Sequence, residues 1–240
     1  MPDWRIKLLK REEIADRTMA FYFEKPANLQ FTAGQFVDLS LINPSELDWA
    51  GSSRTLTIAS APFEKELMFA MRMRDSAFKR TLRNLPLGSE ATIDDPAGVF
   101  TLHEDCSRPA VFIAGGIGIT PFLSIVRQAA FNRLPYRLYL FYSNRRPEDA
   151  AFFSELQAIP KSSPYFQFIP VMTQMWRSKR TWEGETDYVG AAMLSKYLCS
   201  VGEPIYYVSG PPAMIESMRQ KLLELGVDRK DISADSFDGY

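Results

Sequence analysis

Apolar positions along the first hundred residues fall into short runs separated by turn residues. WRIKLLKR (4–11), TMAFYFEKP (18–26), GQFVDLSL (34–41), SRTLTIAS (53–60), ELMFAMRMR (66–74) and EATIDDPAG (90–98) are rich in aromatic or β-branched residues, and the fifth alternates strongly. Six antiparallel strands in so short a span predict a small closed barrel. Between the fifth and sixth, SAFKRTLRNLPLG predicts a single helix, with Ser76 as its cap and a Pro-x-Gly exit. That helix brings Lys79, Arg80 and Arg83 close together. After Pro109 the pattern changes. VFIAG, YRLYLFYS, YFQFIPVM and IYYVSG read as strands that alternate with helical stretches at 121–130, 148–158, 191–198 and 212–225. Such alternation predicts a parallel sheet covered by helices on both faces. The expected organisation is therefore a six-stranded antiparallel β-barrel at 1–105 followed by an α/β unit with a parallel sheet at 106–240, divided near 106–108 where polar residues intervene.

The stretch AVFIAGGIGITPFLSIVRQAA, 110–130, carries the sharpest local signal. An apolar run at Val111, Phe112 and Ile113 meets Gly115, Gly116 and Gly118, so a strand enters a tight turn. Thr120 is suited to cap a helix and Pro121 to its first position, while Phe122, Ile125, Val126 and Ala129 recur at the spacing of a buried helical face. Bare backbone amides and the positive end of the helix dipole then converge on one spot, which suits a phosphate or pyrophosphate. The run is shorter than the ~20 residues of a membrane span and is interrupted by glycine and proline. No Gly-Lys-Ser/Thr follows, as a P-loop requires, and Pro121 stands where the third glycine of G-x-G-x-x-G belongs. An ordinary strand-turn-helix without ligand is the competing reading.

Composition narrows the chemistry. A hydrophobic content of 46%, a charged content of 24% and a net charge of −1 are globular values that give no overall attraction to nucleic acid or an anionic membrane. Cys106 and Cys199 are the two cysteines, far apart, which excludes a disulfide framework and the clustered thiolates of iron–sulfur or zinc sites, and fits a reducing cytoplasm. The charged beginning MPDWRIKLLKREE lacks the apolar core of a signal peptide, so no export is expected. His103 is the single histidine. It lies in TLHEDCSRP, which reads as a surface connection, and it is expected to be a loop histidine without a chemical role. No metal site is expected.

In a parallel α/β sheet, ligands bind beyond the carboxyl ends of the strands. Three strand ends carry suitable residues: 115–121 after the first, 143–149 after the second, and 209–214 after the fourth. The second is where dinucleotide folds read the adenosine ribose, an acid suiting NAD and an arginine the NADP phosphate. Ser143, Arg145, Arg146, Glu148 and Asp149 supply both kinds, and a solvated helix approach explains Arg145 and Arg146 equally well. In the barrel, Arg54 could pair bidentately with a pyrophosphate and the Thr57 hydroxyl could bond a ring nitrogen or carbonyl. Alternation sets Arg54 and Leu56 on one face and Thr57 on the other, so one ligand touches all three only if the strand bends or ends there.

Four motifs occur in order: Arg54-x-Leu56-Thr57-x-x-Ser60, then Asp95-Pro96-Ala97-Gly98-Val99-Phe100, then Gly115-Gly116-x-Gly118-x-Thr120-Pro121, then Ser209-Gly210-Pro211-x-x-Met214. Together they resemble the ferredoxin–NADP reductase family of flavoproteins over nearly the whole chain. The resemblance implies a flavin-binding barrel followed by a Rossmann-like NAD(P)-binding domain. By position it implies that Arg54 binds the flavin phosphates, that Leu56 and Thr57 lie against the flavin with Thr57 near N5, and that Phe78 and Lys79 lie at the pyrophosphate. Thr120, Pro121 and the glycines before them would face the nicotinamide dinucleotide, Ser143 and Arg145 its adenosine half, and Ser209, Gly210, Pro211 and Met214 its nicotinamide. Trp176 to Trp182, with Arg177, Lys179 and Arg180 between, is expected to be a mobile solvated loop, with a border to the adenosine or to an acidic partner as the alternative. Tyr240, or Phe237, would stack on the flavin. Three departures stand out: Leu56 replaces the usual Tyr, Lys79 the usual Ser or Thr, and Ser209 the common Cys. The implied activity is an NAD(P)H-dependent reductase with FAD, or less readily FMN, passing hydride to the flavin and single electrons to ferredoxin, flavodoxin or an oxygenase component. The alternatives are an electron-transfer subunit of a larger redox complex and a degenerate nucleotide-binding scaffold without turnover.

Overall fold

The computed structural model describes residues 4–161 and 163–236. Its first half is an antiparallel sheet of six strands, β1 (Trp4–Ala15), β2 (Thr18–Glu24), β3 (Phe36–Leu41), β4 (Ser53–Thr57), β5 (Glu66–Arg72) and β6 (Glu90–Ile93), in the order β4-β3-β6-β1-β2-β5. All six predicted strands are present. β1 runs four residues past its expected end, because register shifts between Leu8 and Lys10 and between Glu13 and Ala15 let it bend. Its first residues pair with β6 and the rest with β2, so one strand turns a corner of the sheet. The two ends of the sheet meet just beyond β4, where the Ala59 amide donates to the Met68 carbonyl at 2.8 Å and the Met68 amide to Ser60 Oγ at 3.0 Å. Ile6, Leu8, Phe21, Val37, Leu39 and Phe69 fill the interior, each from an alternate inward position.

Helix α1 (Ala77–Asn84) crosses from β5 to β6. Ser76 caps it as its sequence predicts, its Oγ accepting from the Lys79 amide at 3.3 Å. Phe78 and Leu82 anchor it in the barrel core.

The second sheet is parallel, with β7 (Ala110–Gly115) at its centre, flanked by β8 (Leu138–Asn144), β9 (Phe166–Met172), β10 (Ile205–Gly210) and β11 (Ile232–Ser236) in the order β11-β10-β7-β8-β9. β7 is buried along its whole length, which is why its residues are apolar or small without alternation. Phe112, Leu140 and Tyr207 on one face pack with α2 (Thr120–Phe131) and with Ala20, Met68 and Ala70 of the barrel, so one apolar core runs across both sheets. Val111, Phe141 and Val208 on the other face pack with α4 (Ala191–Tyr197) and α5 (Pro212–Glu224).

Several expectations are corrected. The sequence pattern misses β11, whose ISADS has Ile232 as its one buried hydrophobe and takes its place by pairing with β10 from Tyr206↔Ile232 to Gly210↔Ser236. A helix over 148–158 is not continuous: a 3₁₀ turn at Pro147–Asp149 is followed by a break, with Phe152 in the left-handed region at φ 58°, before α3 (Phe153–Ala158). The break has a cause, since Asp149 is held at the junction of the two sheets by Arg146 and Arg72. His103 lies in the irregular connection between β6 and β7, as expected, but is half-buried there and not free. Its Nδ1 lies 3.0 Å from the Tyr207 hydroxyl, its Nε2 3.1 Å from the Arg108 carbonyl, and its ring stacks on Tyr207. No helix among the described residues is long and apolar enough to cross a membrane, and no group of three or more His, Cys, Asp or Glu among them could hold a metal ion.

Candidate functional site

β4 lies at the edge of its sheet and ends at Thr57, which meets the condition set by its alternation. A cleft of about 830 Å³ wraps this strand end, and residues 54–57 all line it, with 76–80 from α1 and its cap, 48–50 from the preceding loop, and Ile117 from the glycine turn. Arg54, Leu56, Thr57, Phe78 and Lys79 are thereby brought together, as the motif reading expects. Thr57 is 6% exposed and Phe78 1%, so the floor is dry, while Arg54 stands half-buried at the wall.

Arg54 is held by the loop it follows. Its Nη1 donates to the carbonyls of Ala50 at 2.9 Å, Gly51 at 3.1 Å and Ser53 at 2.6 Å, and its Nη2 to Asp48 Oδ1 at 3.2 Å. Its guanidinium carbon stands 5.1 Å from the Phe78 ring centroid, a cation–π distance. Lys79 Nζ donates to the Arg72 carbonyl at 2.7 Å. Burial, and then the charges of Arg74 and Arg54, hold the Lys79 ammonium below the usual lysine range. The three cations concentrate positive potential at one end of the cleft, and apolar Leu56, Ala70 and Met71 line other parts of its wall.

The glycine turn has a different local geometry from the one its sequence suggests. Gly116 takes φ +53° and a 3₁₀ turn, Gly116–Ile119, precedes α2. Thr120 is therefore the first residue of the helix and not its cap, and its hydroxyl donates back to the Ile117 carbonyl at 3.2 Å. The glycines themselves answer to packing. A Cβ on Gly118 would stand 2.4 Å from the Ser209 carbonyl oxygen, and one on Gly115 would stand 2.5 Å from Met214 Sδ and 2.9 Å from Pro211 Cδ. Bare backbone is what lets the end of β7 meet the end of β10. Gly115, Gly116, Gly118, Thr120 and Pro121 thus adjoin Ser209, Gly210, Pro211 and Met214. Ser209 is fully buried, and its Oγ has no hydrogen-bond partner among the described residues.

The end of β8 is divided. Ser143 is half-buried there and Arg145 exposed beyond it. Arg146 binds Asp149 at 2.7 Å and Asp16 of the barrel at 2.9 Å, so it acts as a joint between the sheets. The 176–182 segment is tied down: Ser178 Oγ donates to Glu148 at 2.9 Å, and Trp182 Nε1 donates to the Glu185 carbonyl at 2.9 Å while its ring packs against Phe153. Trp176 stands out in solvent. Tyr240 and Phe237 lie outside the described residues.

The sequence reading misses two polar groups, Asp48 and Asp235, and the surroundings of two others, Asn144 and Asp149. Asp48, in an irregular loop, reaches the cleft. Asn144 is buried at the end of β8 with both side-chain amide atoms unpartnered among the described residues. Asp149 bridges the sheets. Asp235 pairs in register with Ser209 on the unforeseen β11, and burial pushes its carboxyl above the ordinary aspartate range. Asp48 and Asp235 owe their places to partners distant in the chain, and no local pattern marks them.

Residues 112–220 match the oxidoreductase NAD-binding domain family. The chain is 29% identical over 225 residues to a glycine betaine monooxygenase reductase subunit of Chromohalobacter salexigens, covering 92% of this chain and 60% of that protein. It is 27% identical over 216 residues to ferredoxin–NADP reductase B of Sorangium cellulosum, covering 87% of this chain and 86% of that one. Among solved structures, a ferredoxin–NADP⁺ reductase from Neisseria gonorrhoeae, crystallised with FAD and NADP bound, superposes with a TM-score of 0.78 at 22% identity over 98% of each chain, which shows the shared fold. Several of the curated relatives are longer, and the chain spans 39 to 60% of three of them.

Proposed function

We propose, from its similarity to ferredoxin–NADP reductase-like flavoprotein reductases, that the chain is an NAD(P)H-dependent reductase working with FAD and serving a separate protein acceptor, an oxygenase component or a ferredoxin. The observation that supports this most directly is the cleft at the end of β4, where cations gather at one end, a buried hydroxyl and apolar side chains form the wall, and Ile117 of the glycine turn joins from the other sheet. Bound there, FAD supplies the redox chemistry, accepting hydride from NAD(P)H and releasing electrons one at a time.

The chain's own residues bind, orient and exclude water. Arg54 and Lys79 meet the negative charge of the cofactor's phosphates, with Phe78 holding the guanidinium in place. Leu56 and Thr57 border its ring, Thr57 offering a hydroxyl from a dry floor. Gly115, Gly116 and Gly118 bring the ends of β7 and β10 together, so that Thr120, Pro121, Gly210, Pro211 and Met214 shape the nicotinamide's wall and the Ser209 hydroxyl is left for it. Ser143 and Arg145 take the adenosine end. In this reading residues 1–105 bind the flavin and 106–240 the nicotinamide nucleotide, a division supported by the change from antiparallel to parallel pairing between β6 and β7. The proposed compartment is the cytoplasm, in keeping with two exposed, unpaired cysteines.

The test is the anaerobic visible spectrum of the purified protein before and after NADH and NADPH in turn. A flavin band bleached by one nucleotide supports the reading and identifies the donor. No band, even after incubation with FAD and FMN, refutes it and leaves the nucleotide-binding scaffold.

A further inference from the structure

The cations of the cleft already have an anion, and it belongs to the chain itself. Asp48 reaches in from the β3–β4 loop. Its Oδ1 accepts from Arg54 Nη2 at 3.2 Å, and its Oδ2 accepts from the Ala77 backbone amide at 3.1 Å. The Ala50 amide also donates to Oδ1, at 3.0 Å. A carboxylate held by a guanidinium and backbone amides takes the same kinds of donor that a phosphate group would take. Arg54, Arg74 and Lys79 line the same cleft. The other charges nearby are closed on themselves, Arg80 by Glu46 and Asp75, and Arg72 by Asp149. Arg54, Arg74, Lys79 and Arg80 against Asp48, Glu46 and Asp75 leave the site with a net positive charge while Asp48 is in place, and with more once it leaves.

The loop is built so that Asp48 can leave without undoing the rest. Arg54 keeps its orientation through Nη1, which rests on three carbonyls, while Nη2 alone is engaged with Asp48. Upstream, Glu46 stays tied to Arg80 at 2.7 Å, and Ser45 Oγ lies 3.4 Å from Thr81 Oγ1. Between these anchors the tip is unburied: Leu47 is 66% exposed and Trp49 99%. Few packing contacts oppose its movement.

We propose that Asp48 is an internal counter-anion that holds the phosphate end of the cleft until a ligand's own phosphate or diphosphate replaces it at Arg54 Nη2 and the Ala77 amide. Stray anions must compete with a tethered carboxylate, whereas a flavin dinucleotide compensates for its displacement by filling the remaining cleft. The assignment of the flavin rests on the function proposed above; the exchange of anions does not.

Apo protein titrated with inorganic pyrophosphate, and separately with FAD and riboflavin, decides it. Asp48→Asn removes the competing charge and keeps the side chain's shape, so it binds pyrophosphate and FAD about three- to ten-fold more tightly than wild type, the yield of releasing one half-buried ion pair and its amide bond. Riboflavin, which carries no phosphate, changes by less than about two-fold on the same argument. Glu46→Gln removes a carboxylate of the same loop whose partner Arg80 is still held by Asp75, and leaves all three within about two-fold. Asp48→Ala reproduces the order and shows that it does not depend on the asparagine. Unchanged or weaker binding of pyrophosphate in both Asp48 variants overturns the proposal, as does a Glu46→Gln effect equal to that of Asp48→Asn. If pyrophosphate follows the expected order while no variant binds any flavin, the counter-anion stands and the flavin reading falls.

Discussion

Gly118→Ala isolates the contact on which the nicotinamide wall depends. The added Cβ would stand 2.4 Å from the Ser209 carbonyl oxygen, 2.6 Å from its carbonyl carbon and 2.7 Å from the Gly210 nitrogen. All three neighbours are backbone of a central strand, so no side chain can swing aside. Gly118 is not at positive φ, and the cost is steric alone. Overpacking a close-packed interior costs about 1–3 kcal/mol, and a wholly backbone clash belongs in the upper part, about 2–3 kcal/mol. For a chain of this size that lowers Tm by about 4–12 °C. Relief requires the ends of β7 and β10 to part by a sizeable fraction of an ångström, which moves Ser209. Misplacement on that scale costs about 10²-fold in a positioned reaction. Thermal melting and anaerobic stopped-flow reduction by NAD(P)H measure the two effects, and flavin content remains at the wild-type level because the cations of the cleft lie on the other sheet. Gly202→Ala is the control, since nothing stands within 4 Å of its Cβ. A Gly118→Ala protein as stable as the control, reduced at the wild-type rate, would refute the packing account of these glycines.

Three further predictions concern charge and hydroxyl groups. Arg54→Ala removes the guanidinium from the cleft and weakens FAD binding by about 10- to 150-fold, the equivalent of one charge-assisted hydrogen bond of about 1.5–3 kcal/mol, read by fluorescence titration of apo protein; unchanged affinity would take Arg54 out of the site. Asp149→Ala leaves Arg72 and Arg146 facing each other across the sheet junction and destabilises by about 3 kcal/mol in urea unfolding. Burial raises the Asp149 carboxyl, but the hydrogen bond and charge of Arg146 and then those of Arg72 outweigh it, so its pKa lies below the ordinary aspartate value. Its contribution is thus fully present above about pH 4 and is lost as pH falls through the folded-state value. The difference between wild type and Asp149→Asn should narrow in that acid range, and a difference that persists unchanged there contradicts the ion-pair account. Ser209→Ala deletes a buried hydroxyl with no partner among the described residues, so stability stays within about 1 kcal/mol of wild type or rises, while reduction by NAD(P)H slows about ten-fold, as loss of one hydrogen bond of about 1.4 kcal/mol would do. Equal rates would assign the hydroxyl no part in the reaction.

Local pattern reached a long way into this molecule. Short runs rich in aromatic or β-branched residues located each strand of the barrel, Ser76 announced the helix it caps, and an uninterrupted apolar run announced β7, because each reports how one short segment meets solvent or core. Of the residues singled out by motif, those around Arg54 share one cleft with Ile117 of the glycine turn, and the glycines adjoin Ser209. Where pattern failed, the deciding neighbour was remote. ISADS offers one buried hydrophobe and becomes a strand only because β10 presents an open edge. The helix expected at 148–158 breaks because Asp149 answers to Arg72, 77 residues away. His103 is built in because Tyr207, 104 residues on, stacks against it.

The sequence by itself determined the barrel strands, the first four strands of the parallel sheet and most of the helices, their order, and the presence of bare backbone where two strand ends approach, since hydrophobic period, capping and side-chain volume are local properties. Tertiary structure alone decided which charges meet. It set Asp48 on Arg54 and the Ala77 amide, closed Arg146 onto Asp149 and Asp16, and laid Asp235 beside Ser209. Ion pairs and buried hydrogen bonds depend on distances of a few ångströms between residues far apart in the chain, and no spacing in the sequence encodes them.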